Sequence, residues 1–313
     1  MLSETFHIPV LSHEAIELLI NKELKDQVLV DGTLGGGGYT KLICDEFKGT
    51  GKVISIDKDL NALEFSKNKL KDLNCNVEFV NGNFGELKEI LKEIKIDSIT
   101  GIVLDLGLSS YQLEAEDGFS FMKDTDLDMR AYRKDTLTAN ELLNSYSKEE
   151  LMNVFENYGE IGNSERLVKA IILRRRNKKF KSTFDLTEVI NSEYSLNKKN
   201  QIDFLAKIFQ ALRIEVNKEL QNLENVLRDS LEVVIKGGRI VVISYHSLED
   251  RIVKNFFRES ASKHIKSDNP YGDEEKIPKI KILTKKAVIP SFNEIKSNSR
   301  SRSAKLRAAE IIN

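Results

Sequence analysis

Cysteine is scarce in this 313-residue chain. The two present, Cys44 and Cys75, are too few for a disulfide framework or a thiolate zinc site. They are expected to be a pair of reduced cytosolic thiols. No run approaches the roughly 18 consecutive apolar residues that a membrane span needs. The opening stretch MLSETFHIPVLSHEA lacks a basic segment followed by an apolar one, so it does not read as a secretory signal. Neither sign of charge is in excess: 48 Lys and Arg face 49 Asp and Glu, for a net charge of −1. That excludes a uniformly basic nucleic-acid coat and leaves room for a local basic patch. Internal repeats and low-complexity tracts are absent. The four histidines, His7, His13, His246 and His264, stand in no metal-ligand spacing, and no metal is expected. What is present suits a soluble globular protein of one large or two medium domains, with 40% hydrophobic and 31% charged residues.

From residue 28 to residue 105, short β-like runs alternate with amphipathic helical stretches. QVLVD ends at Asp31, KVISID at Asp57, NVEFV at Val80 and ITGIVLD at Asp105. Near-continuous Val, Ile and Leu strands separated by helices imply a parallel sheet covered on both faces. The rhythm returns late. A long helix is expected from about Ala211 to Ile235, with Leu220, Leu223, Val226, Leu227 and Leu231 at helical spacing. Lys236-Gly237-Gly238 then reads as a helix stop and turn, and GGRIVVIS as a further buried strand. SAKLRAAEII supplies a candidate last strand, and 266–279 reads as an exposed loop. Between 111 and 209 the pattern is helical. The expected organisation is therefore an α/β core, residues 1–110 and 210–313, with an inserted helical subdomain, residues 111–209.

VDGTLGGGGYTKLI, Val30 to Ile43, places strand, glycine-rich turn and helix start in that order. Four consecutive glycines carry too much entropy for a mere turn and suit close approach of a ligand to backbone. Ligands in open α/β sheets bind beyond the carboxyl ends of the strands. G-x-G-x-x-G fails, because the third glycine would fall on Thr40, and no Gly-Lys-Ser/Thr follows for a P-loop. A nucleoside-bearing ligand without a pyrophosphate remains. Asp57 can accept hydrogen bonds from ribose hydroxyls or cap the next helix. Phe84 can lie against an adenine ring or pack in the core. Asp105 emerges from a buried strand toward the same cleft, followed by the small and polar Gly107, Ser109, Ser110 and Gln112.

Six segments, VDGTLGGGGYT, VLDLGLSSYQL, GFSFMKDTDLDMR, FQALRIEVN, GGRIVVISYHSLEDRIVK and SRSRSAKLRAAE, resemble in family order those of the ribosomal RNA small-subunit methyltransferase H family. The resemblance runs from about His7 to Glu310. It implies a class I, Rossmann-like methyltransferase fold, S-adenosylmethionine as methyl donor, and N4 of a cytidine in the decoding centre of 16S rRNA as acceptor. The rRNA would be met within the small ribosomal subunit, in the cytoplasm. Matched position by position, it implies donor contacts at Gly37, Gly38, Tyr39 (where the family often carries histidine), Asp57, Phe84, Asp105 and Gln112. The chemistry of the residues agrees. Methyl transfer is an in-line displacement in which positioning supplies much of the rate. Asp105 is the candidate catalytic acceptor for the amine's N–H, assisted by Ser109 or Ser110.

On the acceptor side, Tyr245 can stack on an extruded base while His246 or Ser247 bonds its edge; strand-end packing is the other reading. Arg130 is a candidate phosphate contact. Ser164 to Lys181 carries eight bases, Arg174, Arg175 and Arg176 among them, against the single acid Glu165. Lys296 to Arg307 carries five bases and no acid. Two such runs in a near-neutral protein point to a local phosphate-binding surface. Two other functions use the same features: a DNA amino-methyltransferase, which would usually show a Pro-Pro-aromatic motif after strand four, and a non-catalytic RNA-binding assembly factor that keeps a donor pocket.

Overall fold

The computed structural model describes residues 9–107, 118–132, 134–265 and 274–313. The chain forms two compact units, one of residues 1–107 and 220–313, the other of residues 108–219.

In the first unit the expected strands form. They are β1 (Val28–Asp31), β2 (Lys52–Asp57), β3 (Asn76–Asn81), β4 (Ile99–Asp105) and β5 (Val234–Ser244), joined by β6 (Ile280–Ile282) and β7 (Lys305–Ile311). Their order across the seven-stranded sheet is β3-β2-β1-β4-β5-β7-β6. Strands β1 to β5 pair parallel, whereas β7 runs antiparallel to both β5 and β6. Strand order reverses between β1 and β4, and a crevice opens beyond strand carboxyl ends at such a reversal. Asp31, Asp57 and Asp105 each close one of these parallel strands.

The apolar runs are continuous because both sheet faces are covered. Val30, Ile54, Ile102 and Leu104 join one buried cluster. Their strand neighbours Leu29, Val53 and Val103 join another with Tyr39, Ile43 and Leu306. Truncating Leu104, which is fully buried, would cost about 2–5 kcal/mol. Helix α1 (Ser12–Leu19) precedes β1, α2 (Gly38–Phe47) follows the glycine loop, and α3 (Leu60–Lys69) and α4 (Leu87–Glu93) follow β2 and β3.

The second unit contains five helices among the described residues: α5 (Ala139–Ser145), α6 (Lys148–Asn157), α7 (Glu165–Asn177), α8 (Thr183–Glu193) and α9 (Lys198–Asn217). Thr138 and Ser147 start α5 and α6 with reciprocal capping boxes through Glu141 and Glu150. Phe155, Phe180, Leu142, Ile208 and Leu212 fill the core. Asn217 at the end of α9 donates to the Met129 carbonyl and accepts from the Ala131 N–H, each at 2.8 Å.

The structure corrects three expectations. The apolar spacing from Ala211 to Ile235 is not one helix. Lys218, at φ 50°, breaks it into α9 and α10 (Glu219–Val233). The compact units divide just after that break, at 219/220. Gly237 and Gly238 lie within β5, at an irregularity in its pairing with β4, because the helix already stops at Val233. Finally, Cys44 of α2 and Cys75 before β3 are disulfide-bonded, their Cα atoms 5.4 Å apart. The α2–β2–α3 excursion returns the chain to α2, which spacing alone does not reveal.

Candidate active site

The glycine loop is fastened from below by an acid. Asp31 is fully buried. One carboxylate oxygen accepts the Thr33 N–H at 3.2 Å, and the other accepts the Thr40 N–H at 3.0 Å and its hydroxyl at 2.7 Å. Burial pushes this carboxyl up to about 6, opposed by those three hydrogen bonds. Asp31 thereby ties the loop's start to the first turn of α2. It was not among the residues singled out above, yet the signal was there: an acid closing an apolar strand, as at Asp57 and Asp105.

Gly37 has φ 78° and stands at the N-cap of α2, which has no side-chain cap. A Cβ on it would lie 2.7 Å from Leu70 Cδ1, so both conformation and space require glycine. Gly38 is the first helical residue. Tyr39 turns its ring into the core, and its hydroxyl donates to the Val10 carbonyl. The loop is steadied from α3, where the buried Ser66 hydroxyl donates to the Gly35 carbonyl at 2.6 Å.

Asp57 reaches back to the same loop. One oxygen accepts the Gly35 N–H and the other the Asp59 N–H, both at 2.8 Å. Burial raises its carboxyl despite these bonds. The cap of α3 is Asp59, so Asp57 is left facing the loop. Phe84 opens a short 3-10 turn after β3, half-buried against the core cluster of β1, β2 and β4. Its Cβ lies 3.4 Å from where a Cβ on Gly32 would stand.

At the end of β4, the Asp105 N–H donates to the Thr33 hydroxyl at 2.7 Å. Thr33 therefore joins Asp31 and Asp105 through its backbone and side chain. The Asp105 carboxylate accepts the Tyr245 hydroxyl at 2.7 Å. Burial pushes this carboxyl up to about 7; the Tyr245 and Gly107 donors oppose the rise, and Asp31 and Glu249 reinforce it. An acid titrating there can hold or release a proton near neutrality.

Tyr245 follows β5 and its ring packs against Gly107, where an added Cβ would come within 2.8 Å of Tyr245 Cε2. Burial and the Asp105 charge push its phenol well above the ordinary range, so it stays a donor. The Tyr245 N–H donates to Glu249 Oε2 at 2.8 Å. His246 caps α11 (Ser247–Ser260). Its Nε2 lies 3.1 Å from Glu249 Oε1, at the distance but not the angle of a hydrogen bond. Ser247, the first residue of α11, is exposed. Ser109, Ser110 and Gln112 lie outside the described residues.

Most of the cations singled out in the sequence have partners. In the helical unit, Arg130 grips Asp128 through Nε and Nη2, at 2.8 and 2.9 Å, and the Asp135 carbonyl at 2.7 Å. Arg174 pairs with Asp185 at 2.8 Å. Arg175 closes the end of α5 by donating to the Leu143 and Tyr146 carbonyls, while Arg176 is exposed. In the sheet unit, Lys305 and Arg307 both face Asp250, at 3.3 and 2.6 Å.

A sequence profile of the MraW methylase family matches residues 4–312. Among curated relatives is a "Ribosomal RNA small subunit methyltransferase H" of Clostridium botulinum (strain Loch Maree / Type A3). It is 44% identical over 308 residues, which are 98% of this chain and 99% of the relative. Proteins of the same name from Caldicellulosiruptor saccharolyticus and Clostridioides difficile are 42% and 41% identical. They cover 98% and 99% of this chain, and 99% and 100% of their own lengths.

Proposed function

The chain belongs to the MraW methylase family, and we propose that it methylates the exocyclic N4 of a cytidine in the decoding centre of 16S rRNA. Membership makes it an S-adenosylmethionine-dependent methyltransferase. The residues fit that donor. The uncapped N-terminus of α2 leaves backbone N–H groups for a carboxylate. Asp57 keeps lone pairs for a ribose diol, since a carboxylate has about four acceptor sites and two are in use. Phe84, half-buried at the start of the turn after β3, offers its ring to a purine. When bound, the donor supplies a methyl group on a positively charged sulfur.

The observation that carries the reading is Asp105, an acid of raised basicity closing β4 at the crevice. The lone pair of cytosine N4 is delocalised into the ring, which makes it a poor nucleophile. A carboxylate that accepts its N–H localises that pair and aims it. Once nitrogen has gained carbon it must lose a proton, and Asp105 is basic enough to take it at neutral pH. Tyr245 acts through Asp105, holding one oxygen and leaving acceptor sites for the amine. Asp31 and Thr33 hold the backbone beneath both.

The proposed substrate is rRNA within the small ribosomal subunit, and the proposed location is the cytoplasm. The helical unit is the proposed RNA-recognition element, with Arg176 among its exposed cations. Ser109, Ser110 and Gln112 are proposed to complete the site, and His246 and Ser247 to border the base. Single-turnover incubation with labelled donor and either naked rRNA or small subunits, followed by nuclease digestion, identifies the modified nucleoside. N4-methylcytidine is expected. Asp105→Asn should lower the rate about 10²-fold or more while calorimetry shows donor binding retained. Label on another base overturns the reading.

A further inference from the structure

Between β6 and β7 the sheet unit carries a strap, residues 284–304, that packing alone does not explain. Its helix α12 (Phe292–Ser297) buries none of its residues. Phe292 is 80% exposed and Ile289 67%. Both side chains are open to a partner.

Charge says what that surface meets. The strap holds five cations, Lys285, Lys286, Lys296, Arg300 and Arg302, and one acid, Glu294. That acid is engaged, its Oε1 accepting the Leu11 N–H at 2.7 Å. All five cations are exposed. Unlike Lys305 and Arg307, none of Lys285, Lys286, Lys296 or Arg302 has an ion pair among the described residues.

The strap is also held firmly. Val288 and Leu306 exchange backbone hydrogen bonds at 2.9 Å, the buried Thr284 accepts the Ala308 N–H at 2.9 Å, and within the strap the buried Ser301 hydroxyl donates to the Asn298 carbonyl. Val288 packs on the same core cluster as Tyr245, Tyr39 and Leu11. The strap is thereby tied to the site's own unit: Glu294 holds the Leu11 N–H, and the neighbouring Val10 carbonyl accepts the Tyr39 hydroxyl of α2.

We propose that the strap docks single-stranded RNA next to the target nucleotide, with Phe292 stacking on a base, Ile289 widening the platform, and Lys285, Lys286, Lys296 and Arg302 meeting phosphates. Stacking on an aromatic ring together with cations along a strand is how single strands are held without duplex geometry. The proposal rests on the rRNA-methyltransferase reading and adds to it a surface outside the helical unit.

The test uses the full-length protein and a fluorescent single-stranded RNA of decoding-centre sequence, with anisotropy read across a salt series. F292A should weaken binding about 10-fold. K296E/R302E should flatten the slope of log affinity against log salt by about 1.4, two single-strand phosphate contacts. Binding of S-adenosylhomocysteine, measured by calorimetry, should stay at the wild-type value and shows that the variants are folded. Wild-type affinity and slope in both variants overturn the proposal. So does unchanged binding to the naked strand with lost binding to small subunits, which assigns the strap to a ribosomal protein. If the wild-type protein neither binds the strand nor methylates subunits, the functional reading itself falls and the strap proposal with it.

Discussion

Tyr245 and Asp105 stand 140 positions apart in the chain and share a hydrogen bond of 2.7 Å, the phenol donating to the carboxylate. One follows β5 and the other closes β4, adjacent parallel strands in which Asp105 pairs with Ile243. The bond has a consequence for pH dependence. Burial holds the Asp105 carboxyl near 7, and the Tyr245 hydroxyl, more than the Gly107 N–H, opposes a further rise. The other groups that face it are Asp31 below β1, Glu249 on α11 and the Tyr39 phenol on α2.

In the proposed mechanism the ionised carboxylate is the working form, so turnover should rise with pH through about 7 and then level off. Tyr245→Phe removes a stabiliser of the ionised form, so the acid limb moves to higher pH, by about one unit for a hydrogen bond of roughly 1.4 kcal/mol. At pH 7 kcat falls several-fold and recovers by about pH 9, while KM for RNA holds. A uniform loss at every pH would mean that Tyr245 is merely structural. A raised KM with kcat intact would mean that it stacks on the substrate.

Gly107→Ala tests the same contact from the other side. The added methyl carbon would come within 2.8 Å of Tyr245 Cε2, and so must push the ring from Asp105. Its pH profile should shift in the direction of Tyr245→Phe. Combining the two should add little, because both remove one bond. Additive losses in the double variant would separate the two residues.

Asp57→Ala removes an acceptor from the Gly35 N–H as well as the proposed ribose partner. Donor affinity should drop about 10- to 100-fold, the range for losing a hydrogen bond to a charged group. Titration calorimetry with S-adenosylhomocysteine reads it directly. The rate at saturating donor should change far less, since the proposed partner of the amine is Asp105, on another strand.

The Cys44–Cys75 bond closes a loop across a sequence separation of 31 residues. A loop of that size constrains the unfolded chain by roughly 3–4 kcal/mol. Dithiothreitol should therefore lower the melting temperature by several degrees, and thiol titration of the untreated denatured protein should find no free thiol. Two titratable thiols before reduction, with an unchanged melting curve, would count against the bond.

Much of the sheet was legible. The runs ending at Asp31, Asp57 and Asp105 are nearly continuous in Val, Ile and Leu because both faces of each strand are covered, as in a buried parallel sheet. The loop between Asp31 and α2 announced itself through its glycines. Hidden were the partners of single side chains. Nothing local tells that Arg174 turns to Asp185, that Arg175 caps α5, or that Lys305 and Arg307 converge on Asp250. A charge run records cations, not the acids that folding brings to them. Tyr245 suited a stacking role by its type, and only its neighbours turn its hydroxyl onto Asp105.

Local pattern by itself determined the strands, the helical insert, the glycine turn and the three acids at strand ends, because periodicity and backbone freedom act over a few residues. Tertiary structure alone decided which acid is tethered, which phenol reaches Asp105, where Lys218 breaks the apparent long helix, and which cations of the last basic run stay on the surface. Those outcomes depend on groups tens to hundreds of positions apart meeting at hydrogen-bond distance, and only the packed sheet sets that distance.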